Sequence, residues 1–296
     1  MEKTFSLLYH AGALGDFITA LPAMCVWRRL HPRARIILLG RSDYAPLAGD
    51  PVPFDDAWDA GGPLFAPLYS RGGEVPGPLR ERFSVFTSAL LFSAASSPLS
   101  ENLVAAGVVG ITRQDPFPAL RIPIVDYHLS LFSPSALAAE DRFPRVRTTG
   151  EPLTAPPRAI LFHPGSGDRG KNWPMERFVE LARRLRYGGQ RVIWIMGPAE
   201  DGAALPSGAE AWRSAPLPAL AASLRRARLY VGNDSGITHL AAASGCATIA
   251  LFGASDSAVW APRGPYVTIV EHTEGGLEAI AVDEIFRKLL REESLR

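Results

Sequence analysis

Short apolar runs of strand type alternate with stretches whose apolar residues recur at helical spacing, and this alternation starts afresh halfway along the chain. FSLLYH, the AGALG turn, DFITALPAMCVWRRL and ARIILLG read as strand, loop, helix and strand. A chain that opens with such a βαβ unit is committed to a parallel sheet. FSVFTSALLF and VVGIT continue the strands, and a helix is expected around Tyr127 to Leu137. Residues 50–82, rich in Pro and Gly, show no clear period. Beyond the polar, proline-bearing stretch RTTGEPLTAPPR (147–158), AILFHP, RVIWIMG, LYVGN and ATIALFG read as strands. PMERFVELARRL, LPALAASLRRA, ITHLAAASG and the terminal DEIFRKLLREE read as helices. The expectation is an α/β chain of two doubly wound, Rossmann-like domains, 1–152 and 153–296, joined by that linker.

Composition removes several classes of function. Thirty-one Lys and Arg against thirty Asp and Glu leave a formal charge of +1, so bulk attraction to nucleic acid has no support. The uncharged run Phe83 to Ser100 carries six serines and Pro98, and it reads as a buried strand and loop instead of a membrane span. Cys25 and Cys246 stand apart, outside any metal-ligand spacing, which fits a reducing compartment. Met-Glu-Lys-Thr runs into a strand without the basic and apolar regions of a secretory leader. A cytoplasmic chain without nucleic-acid partners is expected.

Ligands of doubly wound sheets bind beyond the strand C-termini, so the residues that follow strands are the ones to weigh. In HAGALGDFITALP, Gly12 and Gly15 frame a turn and Asp16 begins the helix. Such an aspartate either caps free helix amides or serves as a general base. FHPGSGDRGKNWPMERF is glycine-rich after a strand, with Ser166 and Lys171 before the next helix. Gly165, Gly167 and Gly170 match GxGxxG only loosely, because the last glycine precedes the helix; a phosphate cradle with Lys171 as point charge competes here with a solvated loop lysine. In YVGNDSGITHLAAASG, Asn233, Asp234 and Ser235 are all of N-cap type, Gly236 can adopt unusual dihedrals, and free amides there suit a diphosphate. His239 follows within the first turns, as ligand contact or as a satisfied half-buried histidine. The GxSxG elbow of serine hydrolases is absent, since Asn233 and Pro164 stand two residues before Ser235 and Ser166. No DxD occurs, so no metal site or other cofactor is expected.

Taken together, GALGDFITALPA, DYHLSLF, HPGSGDRGKNWPMERFVELARRL, GPAED and GNDSGITHLAAASGCATIALFGASD resemble glycosyltransferase family 9, the ADP-heptose:lipopolysaccharide heptosyltransferases. The resemblance implies a GT-B fold, two domains facing across a cleft, with an acceptor domain first and a donor domain second. It implies metal-independent, inverting transfer of a heptose or related sugar from a nucleotide diphosphate donor to a hydroxyl of a lipid-linked or oligosaccharide acceptor. Location would be cytoplasmic or peripheral on the inner face of the inner membrane. Asp16 is similar to the family's general base. Gly15, Ser166, Lys171, Asn233, Asp234, Ser235, Gly236 and His239 fall where the family grips the donor, and Glu200 resembles the acid that takes the ribose hydroxyls. Arg71, Arg80 and Arg82 are the basic candidates on the acceptor side. A sugar-nucleotide epimerase of the same fold and a catalytically silent nucleotide-sugar binding protein remain as alternatives.

Overall fold

The structure is a computed structural model that describes residues 4–49, 51–72, 74–153, 158–197, 200, 205–272 and 274–294. The chain divides into two compact units, Met1–Pro144 and Arg145–Arg296. This division falls ahead of the 152/153 boundary read from the sequence. The reason is local: Val146 N–H bonds Ala243 O at 3.3 Å and Leu153 N–H bonds Ser223 Oγ at 2.8 Å, so much of the expected linker is fastened to the second unit. Residues 154–157 of that linker lie outside the described residues.

In the first unit β1 (Phe5–His10), β2 (Arg35–Gly40), β3 (Asp56–Asp59), β4 (Phe86–Phe92) and β5 (Gly110–Gln114) form one parallel sheet in the order β3-β2-β1-β4-β5. Leu8 sits opposite Leu38 on one side and Leu90 on the other. Such central strands are buried on both faces, which is why they read as continuous apolar runs. One face carries Leu7, Ile37, Leu39, Phe83, Phe86 and Leu91 as a core cluster. The helix Leu14–Leu30 is held to the sheet by Trp27 Nε1, which donates to Ser6 Oγ at 2.8 Å, while Ser88 Oγ donates to the same hydroxyl at 2.8 Å. That short polar chain satisfies groups that would be costly to bury alone.

In the second unit β6 (Ile160–His163), β7 (Val192–Met196), β8 (Glu210–Arg213), β9 (Leu229–Asn233), β10 (Thr248–Phe252) and β11 (Val267–Glu271) order as β11-β10-β9-β6-β7-β8, again all parallel. Read from β8, this is the 3-2-1-4-5-6 order of dinucleotide-binding sheets. Phe162, Trp173, Phe178 and Trp194 pack edge to face within its core, with the Trp173 and Phe178 centroids 4.9 Å apart. Trp173 Nε1 donates to Ile280 O at 3.0 Å and Arg177 donates to the same carbonyl at 2.7 Å, which anchors the approach to the terminal helix Val282–Ser294.

Several local expectations are corrected. The helix expected at Tyr127 to Leu137 runs Ile124–Leu129 and is followed by a separate turn at Pro134–Ala136, because Pro123 opens the helix and Pro134 restarts the chain. Edge strands β3, β8 and β11 were not legible, nor were the helices Gly77–Phe83 and Leu99–Ala105. Among the described residues no helix is long and apolar enough to cross a membrane.

Candidate functional site

Both sheets reverse their strand order beside the first strand of the unit, between β1 and β4 and between β6 and β9. Residues following those strands line the crevice where such sheets take ligands. The sequence-derived candidates follow β1, β6, β7 and β9.

In the first unit the helix starts at Leu14, so Gly15 lies inside its first turn and Asp16 is the third helical residue. This corrects the expected glycine-framed turn. Asp16 Oδ2 accepts the Ala13 N–H at 3.1 Å, and Thr19 Oγ1 donates to its carbonyl at 3.0 Å. The capping role and the candidate catalytic role therefore coexist in one half-buried carboxylate. A Cβ on Gly12 would stand 3.1 Å from Asp16 Oδ2 and 3.1 Å from His10 Cε1, so the glycine lets the loop pass between the two side chains. His10, not singled out in the sequence, is 3% exposed, and Phe17 and Phe92 meet its ring edge to face. Burial pushes its pKa down to about 4, and His128, equally enclosed against Phe92, is pushed down to about 3. Both imidazoles are thus neutral at physiological pH, so neither places a positive charge near the carboxylate.

Of the three basic candidates of the first unit, two share a helix and one lies outside it. Arg80 and Arg82 belong to the helix Gly77–Phe83, which leads into the start of β4. Arg80 pairs with Glu74 at 2.7 Å, and Arg82 lies over the Trp58 ring. Arg71 donates to Ser96 O, beyond the end of β4. Arg41, directly after β2, lies 4.7 Å from the Tyr44 ring centroid and pairs with Asp43. The sequence offered no signal for it beyond its position after a strand.

In the second unit the loop after β6 is shaped by its own polar residues. Ser166 Oγ donates to Asp168 O at 2.5 Å, and Asp168 Oδ1 accepts Gly170 N–H at 2.9 Å. Gly170 lies in a 3-10 turn, Arg169–Lys171, ahead of the helix Met175–Tyr187, as the loose GxGxxG match implied. Asn233, with no exposed surface, spends its amide on this loop: Oδ1 accepts Trp173 N–H at 2.9 Å and Nδ2 donates to Pro164 O at 2.6 Å. Its amide thereby holds the loop after β6 in place. Lys171 Nζ reaches Asp234 Oδ2 at 2.9 Å, and Ser255 Oγ, after β10, donates to the same oxygen at 2.5 Å. The sequence placed Lys171 and Asp234 in separate motifs and missed Ser255.

Ser235 is the N-cap of the helix Gly236–Ala243, its side chain accepting Thr238 N–H. Gly236 is helical and has no positive φ, so its expected unusual dihedral does not occur. The turn is fixed from below, where Thr238 Oγ1 donates to Asn233 O and meets the Tyr230 hydroxyl at 2.9 Å. His239 is buried; burial lowers its pKa, with Asp234 opposing and Lys171 reinforcing the shift. His163 is likewise lowered by burial, its Nδ1 2.9 Å from Ile195 O.

Of the GPAED stretch, Gly197 and Glu200 are described and the other three residues lie outside the described residues. Glu200 Oε2 accepts Gly197 N–H at 2.8 Å, and its carboxyl occupies the place a Cβ on Gly165 would take, 2.1 Å away. A cavity of about 580 Å3 is lined by Pro164, Ser166, Gly167, Arg169, Asn172, Trp173, Pro174, Met175 and Glu200. It has an apolar wall, a carboxylate and a cation, the makings of a nucleoside site. Among the described residues no group of three or more His, Cys, Asp or Glu could hold a metal ion.

Comparison with known proteins bears on this arrangement. The structure of E. coli ADP-heptose lps heptosyltransferase II superposes with a TM-score of 0.77 at 19% identity, covering 98% of this chain and 100% of that one. The glycosyl transferase family 9 protein from Veillonella parvula gives 0.76 at 18% identity over 99% of both chains, and E. coli heptosyltransferase WaaC with ADP gives 0.73 at 14% over 98% and 100%. These likenesses establish the GT-B fold. In sequence, lipopolysaccharide heptosyltransferase 3 of E. coli K12 is 28% identical over 159 residues, 47% of this chain and 46% of that protein. The match thus spans less than half the length of that curated relative. The family model for glycosyltransferase family 9 (heptosyltransferase) matches residues 125–288, more than half of the chain and all of the loops after β6, β7, β9 and β10. On that match, the chain belongs to glycosyltransferase family 9.

Proposed function

We propose that this chain transfers a heptose or related sugar, with inversion and without a metal, from ADP-heptose to a hydroxyl of a lipopolysaccharide core or similar glycan. The observation that carries the reading is the convergence of Lys171, Asp234 and the capped helix Gly236–Ala243 beyond β6 and β9, next to the cavity that holds Glu200. One solved relative, E. coli heptosyltransferase WaaC, is described both with ADP and with ADP-2-deoxy-2-fluoro heptose, which supports the adenine nucleotide.

In this reading Glu200 takes the ribose hydroxyls and Ser166 the edge of the diphosphate. Asp16 removes the proton from the acceptor hydroxyl as its oxygen forms the new bond to the anomeric carbon. The bond from that carbon to the diphosphate breaks with its electrons. Lys171 and the amides at the start of the helix Gly236–Ala243 stabilise the charge left on ADP. Aspartate suits the first step because its conjugate acid need hold the proton only until water receives it. In this reading residues 1–144 supply the base and residues 145–296 the donor contacts. We place the reaction at the cytoplasmic side of the inner membrane, where a lipid-linked acceptor presents its hydroxyl.

The test is incubation with ADP-heptose and a truncated lipopolysaccharide acceptor, followed by mass spectrometry. The expected result is a gain of one heptose on the acceptor and release of ADP. Consumption of the donor without acceptor would point to the epimerase, and binding without turnover to a silent subunit.

A further inference from the structure

The cation that the donor site presents is already engaged. Lys171 Nζ lies 2.9 Å from Asp234 Oδ2, with the Asp234 side chain 9% exposed and that of Lys171 35% exposed. Ser255 Oγ donates to the same oxygen from 2.5 Å. Two donors therefore converge on one carboxylate oxygen, one charged and one neutral. The neighbours of Asp234 have structural duties of their own. Asn233 holds the loop after β6, and Ser235 caps the helix. The Asp234 carboxylate neither caps that helix nor ties down the 164–173 loop except through Lys171.

An anion entering this site meets Lys171 and Asp234 together. Lys171 has three N–H donors, but like charges in a half-buried setting repel, so a diphosphate gains the full hold of the ammonium as the carboxylate gives it up. A hydroxyl that donates to Oδ2 draws charge from that oxygen and shares its lone pairs, which weakens the hold on Lys171. We propose that Asp234 is the resident counter-anion of Lys171, which the donor's diphosphate must displace, and that Ser255 is a positioning residue that sets how readily it yields. This rests on the reading of Lys171 as the diphosphate cation. One consequence concerns the product: ADP leaves a lysine that regains a partner instead of a bare cation.

The prediction has opposite signs for two residues in direct contact. In calorimetric titration of the full chain with ADP, Asp234→Asn keeps an oxygen for Ser255 but removes the charge, and ADP binds roughly three- to tenfold more tightly. Ser255→Ala leaves Lys171 more firmly held, and ADP binds roughly two- to fivefold more weakly; Ser255→Thr restores the wild-type affinity. In the Asp234→Asn background Ser255→Ala has no further effect. If Ser255 only tied two loops together, Ser255→Ala would melt earlier and weaken binding equally in the wild-type and Asp234→Asn backgrounds. A folded Asp234→Asn that binds ADP as wild type or more weakly overturns the proposal, as does a Ser255→Ala effect that persists in that background. Should Asp234→Asn fail to fold, the Ser255 alanine and threonine pair carries the test, and unchanged affinity in Ser255→Ala overturns it. Lys171→Ala separates the two readings. Unaltered ADP affinity there defeats the assignment of Lys171 itself, whereas a loss there combined with weaker binding in Asp234→Asn defeats the counter-anion alone.

Discussion

The two units wind their sheets in the same order from the first strand outward, yet they build different things at the strand ends. In the first unit the key carboxylate, Asp16, is part of a regular helix, third in its first turn and bonded to Ala13 N–H. In the second unit the key groups sit on loops: Lys171 after β6, Glu200 after β7, Asp234 at the end of β9, Ser255 after β10. The loop after β6 is held by the buried amide of Asn233. A general base must lie within ~2.6 to 3.2 Å of one hydroxyl oxygen, and a helix holds such a group to the required precision. A diphosphate has many oxygens, so several loops that can adjust serve it better. In the proposed reaction, one scaffold meets two demands through where on the strand-to-helix connection the residue is placed.

The largest expected effect breaks this comparison on the first side. Asp16→Asn should lower kcat by ~10²- to 10⁴-fold while ADP affinity, measured by calorimetry, stays near the wild-type value. A variant that keeps most of its turnover removes the base from the first unit.

Acid should reveal a likeness between the units. Each has a pair of buried histidines, His10 with His128 and His163 with His239, all with pKa values lowered by burial. Because the folded pKa lies below the unfolded one, the unfolded chain binds more protons over the interval between them. Stability is therefore complete above the ordinary histidine value and is lost as pH falls, down to about 4 for His10 and about 3 for His128. His10 alone accounts for about 3 kcal/mol of this loss on its lowering from 6.5 to about 4. Urea midpoints followed from pH 7 to pH 4 should fall, and His10→Phe, which keeps the ring contacts, should flatten the decline. An undiminished slope in that variant assigns the acid loss elsewhere.

On the second side, Lys171→Ala should weaken ADP binding by about tenfold to a hundredfold, the loss of a hydrogen bond to a charged group. The smallest effects sharpen the contrast between loop and helix. Gly165→Ala drives the Glu200 carboxyl from its place and should cost up to roughly tenfold in ADP affinity with kcat little changed. Gly12→Ala requires only a few tenths of an ångström from Asp16 and His10, and it should act on kcat alone, by less. If both glycine variants changed only affinity, the division of labour between the units would fail.

Much of this was legible in the amino-acid sequence because of burial. β1, β2, β4, β6, β7, β9 and β10 are apolar runs since, inside a parallel sheet, both faces are covered, and the loops after them could be singled out at once. β3, β8 and β11 escaped because edge strands are covered less: DAWD and EAWR leave both ends exposed, and VTIVE buries only Val270. Asp16, Lys171 and Asp234 stood out one at a time, each from its own turn. That Lys171 and Ser255 share one oxygen of Asp234 was decided only when β9 took its place between β6 and β10, bringing together loops from distant parts of the chain. His10 was hidden for the same reason, its neutrality arising from Phe17 and Phe92 closing over it. Sequence alone determined that a strand, a turn and a helix succeed one another at each candidate, though not the residue at which the helix begins, because that succession depends on residues near one another in the chain. Which charges meet, and which are stripped of water, depends on neighbours supplied by other strands, and that only the tertiary structure decided.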